Sequence, residues 1–416
     1  DGNAYDKSGH SVSLSSDGTI VAIGATDHDS SRGVTRVYQR DTSDPTGWTQ
    51  LGADIVGENI YDQFGSSVSL SSDGTIVAIG APYDDDNGNN SGHVRVYQYA
   101  PTKTIADTNQ SSPTFGPIGW NRLGADIDGE NPDDYSGISV SLSSDGSIIA
   151  IGAHYNDANG SNSGHVRVYQ YDPTKTTADT NQSNSTFGPI GWNRLGADIV
   201  GENTNDYSGW SVSLSSDGSI IAIGATYNDG TTGNNTGHVC VYQYDPTKTT
   251  TDTDQDSPTY GPIGWNRLGA DIDGDVAGDQ SGYSVSLSSD GSIVAIGAHY
   301  NDGNTGTSGD NRGHVRVYQY DPTKTTADTD ESSPTFGPIG WNRVVADIDG
   351  KNAGDFSGIS VSLSSDGSIV AIGAHYNDGN STNAYDNRGH VRVFSLFENV
   401  VSRTLELSTD LSLNAG

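Results

Sequence analysis

The chain has 416 residues, 32% of them hydrophobic and 54 of them glycine, enough for a core of small residues packed in sheets. Its 53 acidic and 20 basic residues give a net charge of −33, which phosphate backbones and anionic membranes repel, so the expectation is no nucleic acid and no membrane insertion. The same acidity suits divalent cations or cationic partners, or serves solubility alone.

The chain starts at Asp1 and contains no methionine, which reads as a processed mature chain or a fragment of a longer one. The single cysteine, Cys240, allows no intramolecular disulfide. From Ser11 onward the phrase Ser-Val-Ser-Leu-Ser-Ser-Asp-Gly occurs six times, with Asp-Gly at 17, 73, 145, 217, 290 and 366. Each unit reads as four strands. The first alternates strictly, with Val12 and Leu14 on one face, and the second is an apolar run such as Ile20 to Ile23. The Asp-Gly between them signals a two-residue hairpin. The third runs from His93 to Gln98 and the fourth from Trp120 to Ile127 in the second unit. The fold class is therefore all-β, a six-bladed β-propeller with four antiparallel strands per blade, an arrangement that leaves only short edges. The blades fall at about 1–55, 56–127, 128–199, 200–272, 273–348 and 349–416 of a single domain, with 400–416 atypical.

In the second unit, Phe64-Gly65 is followed by Gly80-Ala81-Pro82 and then by Gly92-His93-Val94-Arg95-Val96-Tyr97. This resembles the FG-GAP repeat of the integrin α-subunit propeller, and all six units carry the pattern. The resemblance implies a propeller fold, an extracellular setting and a role in adhesion. That repeat often carries an Asp-x-Asp-x-Asp-Gly calcium loop between its first two strands. Here the loop is only Ser-Ser-Asp-Gly, whose one carboxylate falls short of six to eight oxygens, so that site is not carried over.

The loops divide between two faces. The Asp-Gly turns share one with the long strand three-to-four loops, which run from Pro101 to Gly119 and restart at Pro173, Pro246 and Pro322. Loops of this length are expected to be held by a neighbouring subunit or by glycans. The other face carries Tyr-Asn-Asp-type loops and the inter-blade connections. Calcium is the possible cofactor there, on Asp84, Asp85, Asp86, Asp157, Asp229, Asp302 and Asp378; turn chemistry explains the same residues without a metal. Glycosylation sequons stand at Asn89, Asn109, Asn159, Asn181, Asn184, Asn234 and Asn380, all in loops.

Three histidine pairs, His154 with His165, His299 with His314 and His375 with His390, supply two ligands each, short of a zinc set. Trp48, Trp120, Trp192, Trp265 and Trp341 recur on strand four as blade fillers or, in the alternative, sugar platforms, and Trp210 stands outside this series. Cys240 replaces the arginine of the third strand. His238 lies on its side with no third partner in sight, so the thiol reads as inert. Near the C-terminus, Leu411 and Leu413 sit in an alternating stretch suited to strand addition onto a partner.

No catalytic signature appears, and one residue set repeated six times does not bring unlike groups together, so no enzyme is expected. The preferred function is a secreted, non-catalytic structural or adhesive glycoprotein, located extracellularly or at the cell surface. It would act through contacts with other protein subunits, as in a filament or coat. The first alternative is a calcium-dependent glycan-binding module, and the second a secreted hydrolase.

Overall fold

The period-two strands form where the sequence places them. In the computed structural model, which describes residues 6–41, 43, 47–230, 233–255, 257–303, 309–378 and 387–397, blade 1 consists of Ser8–Leu14, Ile20–Ala25, Val34–Arg40, Trp48–Gln50 and Ile55–Val56. Blades 2 to 5 repeat this order, with the first, second, third and outer strands antiparallel in sequence. Blade 6 has Ser360–Leu363, Ile369–Ala374 and His390–Ser395. The chain is an all-β, six-bladed β-propeller. The expected tail strand, with Leu411 and Leu413, lies outside the described residues. By compactness the chain falls into two units, Gly2–Ile221 with Tyr242–Arg267, and Ala222–Val241 with Leu268–Gly416. Among the described residues, no helix is long and apolar enough to cross a membrane.

Two local expectations are corrected. The Asp-Gly pair is not a two-residue hairpin. Leu14 pairs with Val21, and Ser15 N donates to Ile20 O, which leaves a four-residue loop. A two-residue type I′ turn needs positive φ at both central residues, whereas only Gly18 has it here, at 67°. Asp17 Oδ1 closes the loop by accepting from Ser15 Oγ, Thr19 N and Thr19 Oγ1 at 2.7–2.9 Å. The fourth strand is also not continuous. In blade 2 it breaks into Trp120–Arg122 and Ile127–Asp128, both paired with the third strand, His93–Tyr99. The break lets Gly124 turn at φ 69° beneath Trp192, whose Nε1 would lie 2.4 Å from any Cβ there.

In the first unit the blades are joined by three repeated devices. The serines of the first strand face the next blade: Ser67 Oγ donates to Gly137 O, and Ser69 Oγ accepts from Leu142 N. Approach is so close that a Cβ on Gly80 would meet Gly137 O at 2.1 Å, so the glycine of Ile-Gly-Ala is required. Trp120 and Trp192 are fully buried, and each Nε1 donates to a leucine carbonyl of the preceding blade at 3.1 Å. Around Trp120, one apolar cluster takes Ile20, Val37 and Leu51 from blade 1 and Leu70, Val77 and Ile79 from blade 2. The second unit repeats the devices, with Ser284 Oγ donating to Gly358 O and Trp341 Nε1 to Leu268 O. The tryptophan series is therefore blade filling. Trp48 departs from it, being 38% exposed, as do Val12 and Leu14 of the same blade at 63% and 59%.

Candidate functional site

The loop face is organised by one aspartate per connection. Asp134 Oδ2 accepts from Asn131 N at 3.0 Å and from Asn156 Nδ2 at 2.8 Å, so the connection and the Tyr155-Asn156-Asp157 loop are locked together through a buried carboxylate. Asp279 with Asn301 and Asp355 with Asn377 repeat the bond at 2.8 Å. In blade 2 the asparagine is replaced by Asp84, which lies at 3.1 Å from His93 Nδ1. Burial, with the charge of Asp84 adding to it, pushes Asp62 up to about 6, while the His93 contact holds Asp84 below the usual carboxylate range against the effect of its burial.

The residue after the connection aspartate is left-handed: Gln280 after Asp279 at φ 54° and, with an aromatic ring, Tyr135 after Asp134 at 56°, Tyr207 after Asp206 at 55° and Phe356 after Asp355 at 53°. That turn lays its ring against the tyrosine that follows the second strand of the adjoining blades. In the first unit, Tyr135 stands 5.2 Å from Tyr83 and 5.0 Å from Tyr155, which stands 5.0 Å from Tyr207. His154 packs beneath, edge to face with Trp210 at 4.9 Å. In the second unit, Phe356 sits 5.3 Å from Tyr300 and 5.2 Å from Tyr376. His299 and His375 lie under these tyrosines at 4.2 and 4.0 Å.

Here the rings border an open cleft of about 550 Å³, with Asp378 and Asn387 at its rim and Tyr283 on its wall. Tyr300 and Tyr376 are 39% and 44% exposed, so their ring faces are available. Burial lowers His299 to about 3, the charge of His375 adding to the effect, and burial lowers His375 too. Both are neutral at pH 7 and form an aromatic floor beneath the tyrosines. A base that weak abstracts protons poorly at neutral pH.

The arrangement of sheets, connections and Tyr-Asn-Asp loops coincides with a known repeat. The FG-GAP repeat family matches residues 58–97, 126–169 and 201–242, each span running from a connection through the third strand of a blade. The chain carries FG-GAP repeats. Among solved structures, it is similar to a putative 6-phosphogluconolactonase from Bacteroides uniformis at 10% identity, with 94% of this chain and 81% of that one covered and a TM-score of 0.51. It is also similar to a periplasmic gluconolactonase of Pseudomonas aeruginosa at 14% identity, covering 92% and 80%, with a TM-score of 0.48. At these identities the likeness is one of fold. A search of curated proteins finds no match.

Within this FG-GAP frame, the carboxylates expected to bind calcium are dispersed. Asp85, Asp157, Asp229, Asp302 and Asp378 each accept from a backbone N–H five to nine residues on, Asn90, Asn162, Asn235, Asn311 and Asn387 respectively, and so tie off their own loops. Asp84 and Asp86 do come together, with His93 as a third group. The paired histidines serve different places: His154 joins the rings, whereas His165 lies by Glu130 and Asp198. The sequon asparagines Asn89, Asn109, Asn159, Asn181, Asn184 and Asn234 are all exposed on loops, and Asn380 lies outside the described residues.

The long loops make bonds within the chain. Lys103 Nζ donates to Thr114 O and Trp120 O, Asp107 and Gly116 exchange backbone bonds, and Arg122 N donates to Phe115 O. The loop thereby covers the outer strand of its blade. Composition pointed to length and turns here; the lysine plug gives no periodic signal. The rings of Tyr135, Tyr207 and Phe356 were likewise missed, although each occupies the same place before Ser-Gly.

Proposed function

We propose that the protein is a secreted, non-catalytic adhesive glycoprotein whose aromatic clefts bind carbohydrate chains. The observation that carries this reading is the repetition of half-exposed tyrosines, floored by neutral histidines and edged by Asp and Asn. Ring faces pack against the C–H faces of sugars, while fixed amides and carboxylates meet their hydroxyls. The two lactonases share only the fold. His299, lowered to about 3 by burial, and His375, lowered by burial, favour binding over acid–base chemistry at neutral pH.

The test is a glycan array probed with the whole chain, with and without chelator, beside a lactone-hydrolysis assay. Binding to a defined set of glycans with no hydrolysis above background is the expected result. Loss of binding in chelator would make the site calcium-dependent through loops such as Asp84–Asp86. Hydrolysis without glycan binding would overturn the reading in favour of an enzyme.

A further inference from the structure

Three of the six blades carry the same buried ion network. Arg95 Nη2 lies 2.8 Å from Glu58 and 2.7 Å from Asp126. Arg167 Nη2 lies 2.6 Å from Glu130 and 2.8 Å from Asp198. Arg316 bridges Asp275 and Asp347. Beside each arginine, two residues earlier on the same strand, is a buried histidine: His93, His165 or His314. In each network the aspartate also pairs with a second arginine, Arg122, Arg194 or Arg343, four residues before it.

Blade 4 keeps the histidine and the aspartate, as His238 and Asp271, and puts Cys240 where the arginine stands. Cys240 and His238 are buried at 6% and 4% exposure, and Asp271 reaches partway to the surface. The thiol sulfur lies 3.0 Å from Asp271 Oδ1 and 3.6 Å from His238 Nε2. All three donor atoms fall within 4.8 Å of one another. The sequence marks no third member beside Cys240 and His238; the structure places Asp271 there.

The geometry points to a zinc-class divalent metal site formed by His238, Cys240 and Asp271. One sulfur, one imidazole nitrogen and one carboxylate oxygen make three sides of the tetrahedral set that Zn²⁺ takes. With metal–ligand bonds of about 2.0–2.3 Å, tetrahedral edges of roughly 3.3–3.7 Å result; the sulfur–nitrogen separation of 3.6 Å falls in that range, and the sulfur–oxygen separation of 3.0 Å opens slightly on binding. The metal lies on the side of Asp271 where Cys240 replaces the third-strand arginine. On binding, the Cys240 thiol releases its proton to solvent and ligates as thiolate, His238 ligates as neutral imidazole through Nε2, and a water completes the set from the side where Asp271 is exposed. In blades 3 and 5 the corresponding groups, Glu130–His165–Asp198 and Asp275–His314–Asp347, already hold an arginine between their carboxylates. The site is therefore particular to blade 4.

The experiment strips the full chain of metal and titrates it with Co²⁺, following the thiolate-to-cobalt charge-transfer absorption, and then displaces Co²⁺ with Zn²⁺. The expected result is one equivalent bound, with the band abolished by Zn²⁺. Cys240→Arg restores the residue that the other blades carry and should fold with unchanged circular dichroism, giving no band. His238→Ala should weaken binding by about tenfold or more. A chain that develops no cobalt–thiolate band, or whose Co²⁺ or Zn²⁺ binding is the same in Cys240→Arg, would overturn the assignment. The second outcome would place the ion elsewhere, as at Asp84, Asp86 and His93.

Discussion

At the scale of single residues, the chain relies on side chains repeated in register, and each makes a measurable contribution. Trp192 fills a seam and donates to Leu123 O. Trp192→Phe should lose about 1 kcal/mol through the missing hydrogen bond, and Trp192→Ala about 3–5 kcal/mol through the cavity as well; chemical denaturation checks both. The buried carboxylates set the response to pH. Asp62, Asp128 and Asp279 are each pushed up to about 6, burial being the first cause. An acid raised on folding binds more protons in the folded state, so its contribution is complete below the ordinary value and is lost as pH rises through about 6. The loop aspartates Asp179, Asp252 and Asp328 are held at about 2 by hydroxyl and backbone donors and behave oppositely, losing their contribution as pH falls from about 4 toward 2. The buried histidines work the other way over the same range: His154, His165 and His299, lowered to about 3, and His314, lowered to about 4, stay neutral in the fold while the unfolded chain gains protons below about 6.5. Asp279→Asn removes one of the opposing acids, so its melting temperature should climb more steeply from pH 5 to pH 7.5 than the parent's; an unchanged slope would contradict the assignment.

At the scale of elements, the strands were legible because their signals are local. Ser-Val-Ser-Leu and Ile-Val-Ala-Ile fix face and partner by alternation alone, and their observed pairing, Val68 with Ile79 for example, follows. What was illegible depends on neighbours distant in sequence. Nothing near Gly124 announces that Trp192 will occupy the space over it, so the break in the outer strand was hidden. The ring contacts of Tyr135 join residues on either side of a whole blade's hairpin, and the third member beside Cys240 lies 31 residues away. The long loops illustrate the same point, since a single lysine holds each one. Lys175 Nζ donates to Thr186 O and Trp192 O. Lys175→Met should leave the blade folded but release its loop, seen as several-fold faster proteolytic nicking within 173–190. Equal nicking in variant and parent would show that the loop's own turns suffice.

At the scale of the whole molecule, a net charge of −33 on 416 residues works against compactness. Raising salt from about 10 mM to about 150 mM shortens the screening length from roughly 30 Å to about 8 Å, so the melting temperature should rise; a fall would indicate that the buried arginine pairs outweigh the repulsion. On the proposed reading, the same surface charge favours neutral, stacked ligands over anionic ones, which it repels. The most direct test of that claim is calorimetric titration of the whole chain and of the double variant Tyr300→Ala/Tyr376→Ala with the strongest neutral glycan from the array. Binding weakened by about tenfold or more at unchanged melting temperature is the predicted result, in keeping with loss of two stacking faces. Equal affinity in parent and variant would contradict it and remove the aromatic cleft from the function of this protein.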